Sequence, residues 1–140
     1  MRVFVTGASG WIGSAVVPEL IGAGHQVVGL ARSDASADAL AAAGVEVHRG
    51  TLDDLDGLRD AAVASDGVIH LAFKHELAFS GDFVGAADAD RRVAETIGEA
   101  LAGSDRPFVI ASGTLGVSPG HVATEQDGHG SNPAAAAWGA

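Results

Sequence analysis

Thr6-Gly7-Ala8-Ser9-Gly10-Trp11-Ile12-Gly13 is the stretch whose reading decides the fold. It follows Arg2 to Thr6, a short run rich in β-branched and aromatic residues that reads as a buried strand. It opens onto Trp11 to about Ala23, where Ile12, Val16, Val17, Leu20 and Ile21 recur at helical spacing and Gly22 and Gly24 supply stop signals. A G-x-x-G-x-x-G spacing between strand and helix has a reason at each glycine. Gly7 permits the tight turn, Gly10 leaves room for a diphosphate to approach the backbone, and Gly13 lets the helix pack closely on the sheet. The free amides and positive dipole end of a helix beginning near Trp11 then favour an anion. The stretch predicts a dinucleotide-binding turn made of Gly7, Ser9, Gly10, Trp11, Ile12 and Gly13.

Working outward, strand and helix signals alternate. Gln26 to Ala31 reads as a second strand, Ala35 to Ala43 as a helix stopped by Gly44, and Val45 to His48 as a third strand. Asp53 to Ala64 reads as a helix, Gly67 to Ala72 as a fourth strand, Asp82 to about Ala102 as a long helix, and Pro107 to Ala111 as a fifth strand. Apolar strands joined by amphipathic helices demand parallel pairing with helices on both faces. The expected architecture is α/β, a doubly wound parallel sheet in the order 3-2-1-4-5. Residues 1–140 are read as one domain, with 113–140 an irregular tail.

Composition narrows the function classes. With 47% hydrophobic and 19% charged residues the chain has a core rather than the signature of disorder. A net charge of -10 repels phosphate backbones and anionic membrane surfaces, and Arg91-Arg92 reads as a solvated helix face, so neither nucleic acid nor membrane is expected as a partner. The absence of cysteine excludes disulfides and thiolate chemistry within the chain. No apolar run reaches the roughly 20 residues of a bilayer span, and no leader pattern precedes the first strand, so a cytoplasmic location is expected. His121, Asp127 and His129 share one loop but match no zinc spacing, and no metal is expected.

The second strand ends at Leu30-Ala31-Arg32-Ser33, where an acid would hydrogen-bond the ribose hydroxyls of NAD. Arg32 and Ser33 instead offer a guanidinium and a hydroxyl to a 2′-phosphate, which favours NADP(H). NAD(H) is the alternative, with Asp34 meeting the ribose.

The glycine motif, Gly50-Thr51-Leu52-Asp53, Ile69-His70-Leu71-Ala72-Phe73 and Phe108-Val109-Ile110-Ala111-Ser112-Gly113 together resemble the extended and atypical short-chain dehydrogenase/reductases, the NAD-dependent epimerase/dehydratase-like group with a Rossmann fold. The resemblance covers roughly residues 1–133. It implies that Trp11 and Ile12 meet the diphosphate through backbone amides, that Thr51 and Leu52 lie against the adenine, and that Leu71, Ala72 and Phe73 line the nicotinamide ribose. Many members carry aspartate where this chain has Thr51. Relatives of this kind continue for well over a hundred residues into a C-terminal substrate domain. The resemblance thus implies a truncated chain whose fifth-strand surface favours a homodimer or larger assembly.

Members of that group use a serine or threonine after the fifth strand with a Tyr-x-x-x-Lys pair on the next helix. This chain has no tyrosine, and its single lysine is Lys74, well upstream. Ser112 or Thr114 can supply that hydroxyl, with Gly113 as good a match to the position and a strand-end hydroxyl capping local backbone the alternative reading of both. His75, just beyond the fourth strand, is the remaining candidate proton donor; a solvated loop histidine is the plainer reading. His48 and His70, at strand ends, read as structural. Three functions stay open: an NADP(H)-dependent oxidoreductase or epimerase-like enzyme acting on a small molecule, a non-catalytic nucleotide-binding or interaction module, and a fold redirected to non-redox chemistry such as cyclisation or isomerisation.

Overall fold

The computed structural model describes residues 1–113 together with 122, 124, 126 and 127. Its strands are β1 (Arg2–Thr6), β2 (Gln26–Ala31), β3 (Glu46–Arg49), β4 (Gly67–His70) and β5 (Phe108–Ile110), and its helices are α1 (Gly13–Gly22), α2 (Asp34–Ala42), α3 (Leu55–Val63), α4 (His75–Phe79) and α5 (Phe83–Leu101). The five strands form one parallel sheet in the order β3-β2-β1-β4-β5. This is the Rossmann-like doubly wound order.

Alternation along the central strands explains why their sequences are apolar throughout. Val3 and Val5 of β1, with Val27 and Ala31 of β2, pack against Val17 of α1 and Leu40 of α2. Phe4, Val28, Leu30 and Val68 point the other way, onto Leu58, Ala61 and Ala62 of α3 and Val93, Ile97 and Leu101 of α5. Both faces are therefore buried, and a polar residue on either would be left without water.

Most element boundaries fall within two residues of those the sequence predicts. Two differences matter for the site. The first helix begins at Gly13 rather than near Trp11, because Gly10 N–H donates to Gly7 O at 3.0 Å and keeps residues 7–10 in a turn. The second is α4, a single turn of five residues where the sequence reads as loop. It is too short for apolar periodicity to appear.

The N-terminal edge of the sheet is tied by polar contacts. Arg2 of β1 reaches past β2 to pair with both carboxylate oxygens of Glu46, while its backbone N–H and C=O exchange hydrogen bonds with Asp66 at 2.7 Å each. The hydrogen bond from Arg2 holds the Glu46 carboxyl below its ordinary value. Arg106, in the turn before β5, donates to the carbonyls of Ala62 and Val63 at the end of α3, of Ser65 just beyond it, and of Ala100 near the end of α5, at 3.0 to 3.3 Å. Carbonyls that a helix C-terminus leaves unmet are satisfied here by one guanidinium.

Candidate functional site

At the opposite, C-terminal edge the strands end around a groove of about 610 Å³. Ligands of open parallel sheets bind at this edge, where the strand order reverses, and in this sheet the reversal lies between β1 and β4.

The glycine turn forms the groove's floor. Gly7 has φ +68°, a conformation that L side chains rarely adopt, and a Cβ there would sit 2.7 Å from Ala72 N. A Cβ on Gly13 would overlap the carbonyls of Gly7 and Ala8. Gly10 differs: its Cβ would meet only Gly7 O, at 3.2 Å. The protein's own packing thus demands glycine at 7 and 13 and asks much less at 10, where the space opens outward.

Helix α1 carries no side-chain cap at its N-terminus and no acid in its first turn. Helices α2, α3 and α5 are capped by Ser33, Asp54 and Asp82, whereas the single turn α4 is uncapped like α1. Among the described residues, no group accepts from the backbone N–H of Trp11 or Ile12, and the Trp11 side chain stands 95% exposed. Two adjacent amides and a positive helix end are left available to an anion, so the turn fits a diphosphate.

The end of β4 is held from behind. Thr6 Oγ1 accepts from the amides of Leu71 and Ala72, both at 3.2 Å, so its proton goes to His70 Nδ1. His70 Nε2 then carries the ring proton and donates it to Asp90 at 3.0 Å. Thr6 and His70 are completely buried. This chain fixes the Leu71–Ala72 backbone, and with it the wall that meets Gly7. The structural reading of His70 stands, but the sequence gives no sign of Asp90, twenty residues on in α5.

The groove brings together most of the residues read from the sequence. Gly7, Ser9, Arg32, Ser33, Thr51, Leu52, Ala72, Phe73 and His75 line it. Gly10, Trp11, Ile12, Gly13 and Leu71 belong to the same turn and strand end without lining it, and Ser112 lies exposed beyond β5, outside the lining. Thr114, His121 and His129 fall outside the described residues.

Several of these side chains already have work. Ser33 Oγ accepts from Ser36 N–H at 3.2 Å and Ser33 N–H donates to Ser36 Oγ at 3.2 Å, a capping box on α2, and the Ser33 hydroxyl also donates to Ser36 Oγ at 3.0 Å. Thr51 Oγ1 accepts from Asp53 N–H at 3.2 Å. Asp34 pairs with Arg49 at 2.8 Å and is absent from the lining. His75 stacks edge-on to Phe73, with ring centres 5.1 Å apart, and tilts against Phe79. Sequence reasoning missed the acids that answer the groove's cations: Lys74 Nζ is held by both oxygens of Asp53, at 2.6 and 2.8 Å, and Arg32 reaches Glu76 at 3.3 Å.

This groove, turn and strand order agree with what comparison with known proteins finds. The sequence model of the NAD dependent epimerase/dehydratase family matches residues 3–131. The chain belongs to that family. An uncharacterized protein of Saccharomyces cerevisiae is 48% identical over 130 residues, covering 91% of this chain and 43% of the yeast protein. The UDP-Glc/GlcNAc 4-epimerase of Campylobacter jejuni superposes with a TM-score of 0.75 at 18% identity, over 92% of this chain and 43% of that one, a likeness of fold. A short-chain dehydrogenase/reductase superfamily protein of Agrobacterium tumefaciens with bound NAD is 26% identical, with a TM-score of 0.64 over 94% of this chain and 40% of that one. The chain spans less than half the length of the curated relatives it matches over most of its length. Membership of an NAD dependent family supports a nucleotide-binding groove that takes a nicotinamide cofactor. Among the described residues no helix is long and apolar enough to cross a membrane.

Proposed function

We propose that this chain is the cofactor-binding part of an NADP(H)-dependent oxidoreductase or epimerase-like enzyme acting on a small molecule. The observation that carries the cofactor preference is the groove's composition: Arg32 lines it, whereas Asp34, which the NAD(H) alternative needs at the ribose, is drawn off to Arg49. The bound NAD of the Agrobacterium protein supports a nicotinamide dinucleotide in a fold of this kind.

In this reading the amides of Trp11 and Ile12 hold the diphosphate and Thr51 and Leu52 lie along the adenine. Leu71, Ala72 and Phe73 border the nicotinamide ribose. Arg32 receives the 2′-phosphate, while Ser33, committed to capping α2, serves mainly to fix the turn that presents Arg32. A bound nicotinamide cofactor supplies hydride transfer. Proton transfer falls to His75, which lines the groove, ahead of Ser112, which does not. No Tyr-Lys pair exists within these residues, since the chain has no tyrosine. In single-turnover hydride transfer with aldehyde and ketone substrates, His75→Ala is expected to slow the step by on the order of 10²-fold. An unchanged rate would remove His75 from the mechanism.

Calorimetric titration tests the cofactor assignment. A charge-assisted hydrogen bond is worth roughly 1.5 to 3 kcal/mol before screening, so NADPH is expected to bind about tenfold more tightly than NADH, and Arg32→Ala to erase the difference. Equal affinities in the unaltered chain would overturn the NADP(H) reading. Self-association as a homodimer or larger is proposed through β5, which borders the sheet among the described residues with Val109 and Ile110 exposed, and a monomeric mass in light scattering at micromolar concentration would exclude it.

A further inference from the structure

Two cations border the groove, and the structure treats them differently. Lys74 is anchored at two points, by both oxygens of Asp53, and its side chain is only 28% exposed. It behaves as a fixed part of the wall. Arg32 has a single ion-pair contact, Nη2 to Glu76 Oε1 at 3.3 Å, between side chains 72% and 86% exposed. Such a pair is weak and is surrendered readily.

Glu76 belongs to α4, the turn that the sequence does not announce, and it lines the same groove as Arg32. Its carboxylate and an incoming phosphate would both seek the one guanidinium. A dianion approaching Arg32 must displace that carboxylate or share the cation with it, and the two negative groups repel at that range. A cofactor that ends in a ribose hydroxyl makes no such demand.

We infer that Glu76 sets the cofactor discrimination of this groove by competing with the 2′-phosphate for Arg32. The inference rests on the reading that Arg32 receives that phosphate. Glu76 lowers NADPH affinity while leaving NADH affinity alone, which narrows the gap between the two cofactors. It contributes this through one neighbouring side chain rather than through the general negative field of the chain, whose net charge is -10.

The test is a double-mutant cycle in which binding is read directly. The 140-residue chain, Arg32→Ala, Glu76→Gln and the double variant are each titrated with NADPH and NADH at low and at high ionic strength. Both side chains are exposed, so folding is expected to survive the substitutions, and circular dichroism checks it. Glu76→Gln should tighten NADPH by about two- to fivefold and leave NADH within error. The gain should vanish in the Arg32→Ala background and shrink at high salt. If Arg32→Ala abolishes the NADPH preference but Glu76→Gln leaves NADPH affinity unchanged, the competition is overturned and the cofactor reading stands. A gain that persists without Arg32, or appears equally for NADH, also overturns it. If Arg32→Ala leaves the cofactor ratio untouched, the cofactor reading fails and the inference falls with it.

Discussion

The two ends of the sheet are built on opposite rules. At the N-terminal edge, charged groups find partners and backbone carbonyls find donors: Arg2 meets Glu46 and Asp66, and Arg106 gathers four carbonyls, most of them part-buried, at the ends of α3 and α5. At the C-terminal edge, the amides of Trp11 and Ile12 have no acceptor among the described residues, α1 lacks a side-chain cap, and Arg32 has one weak partner. Unmet donors around a groove are tolerable because water reaches them, and they are useful because a ligand can replace that water. One end holds the sheet together and the other keeps its binding capacity in reserve.

The sharpest way to break this comparison is within the glycine turn, where both rules operate three residues apart. Gly13→Ala should cost roughly 3 kcal/mol or more, since neither backbone carbonyl in its way can move without opening the turn. Gly10→Ala should cost less than about 1 kcal/mol yet weaken cofactor binding about tenfold or more. Urea denaturation alongside cofactor titration separates the two. Equal loss of stability in both variants would mean that position 10 serves the fold rather than the ligand.

At the other end the expected separation is reversed. Arg106→Ala should destabilise the chain by about 2 to 3 kcal/mol, because it strips donors from carbonyls that include the part-buried ends of α3 and α5, and it should leave cofactor affinity unchanged. A change in affinity larger than threefold would show that the two ends are coupled.

The smallest effect is a matter of pH. Glu46 is held below its ordinary value of 4.5 by Arg2, so its carboxylate contributes stability above that pH and loses the contribution as pH falls through the lowered value. Glu46→Gln should therefore melt slightly below the unaltered chain at pH 7, with the gap closing below about pH 4.5. A gap that grows on acidification would contradict the pairing.

Much of this molecule is legible before folding is considered. Parallel pairing followed from alternation, because parallel strands buried on both faces must be apolar on both, and Val3, Phe4 and Val5 meet that demand without interruption; the order 3-2-1-4-5 was the expectation for a doubly wound sheet, and the structure has it. Gly7, Ser9 and Arg32 were readable because a strand end is a fixed place in such a sheet, whereas Thr51, Ala72 and Phe73 were implied by the family resemblance; all six line the groove. The start of α1 was read two residues early, since hydrophobic spacing reports which face a helix buries but not where a glycine turn yields to it.

By itself, then, the sequence determined the sheet, its order and the location of the glycine turn, all of which rest on periodicity and on residues near one another in the chain. Only the tertiary structure decided which partners the polar side chains take. Arg32 finds Glu76 44 residues away, Thr6 meets His70 across 64 residues, and His70 meets Asp90 across a further 20. The reason is geometric. Burial follows a repeat that can be counted along the chain, whereas a hydrogen bond depends on distances and directions of a few ångströms that exist only once distant segments have been packed together.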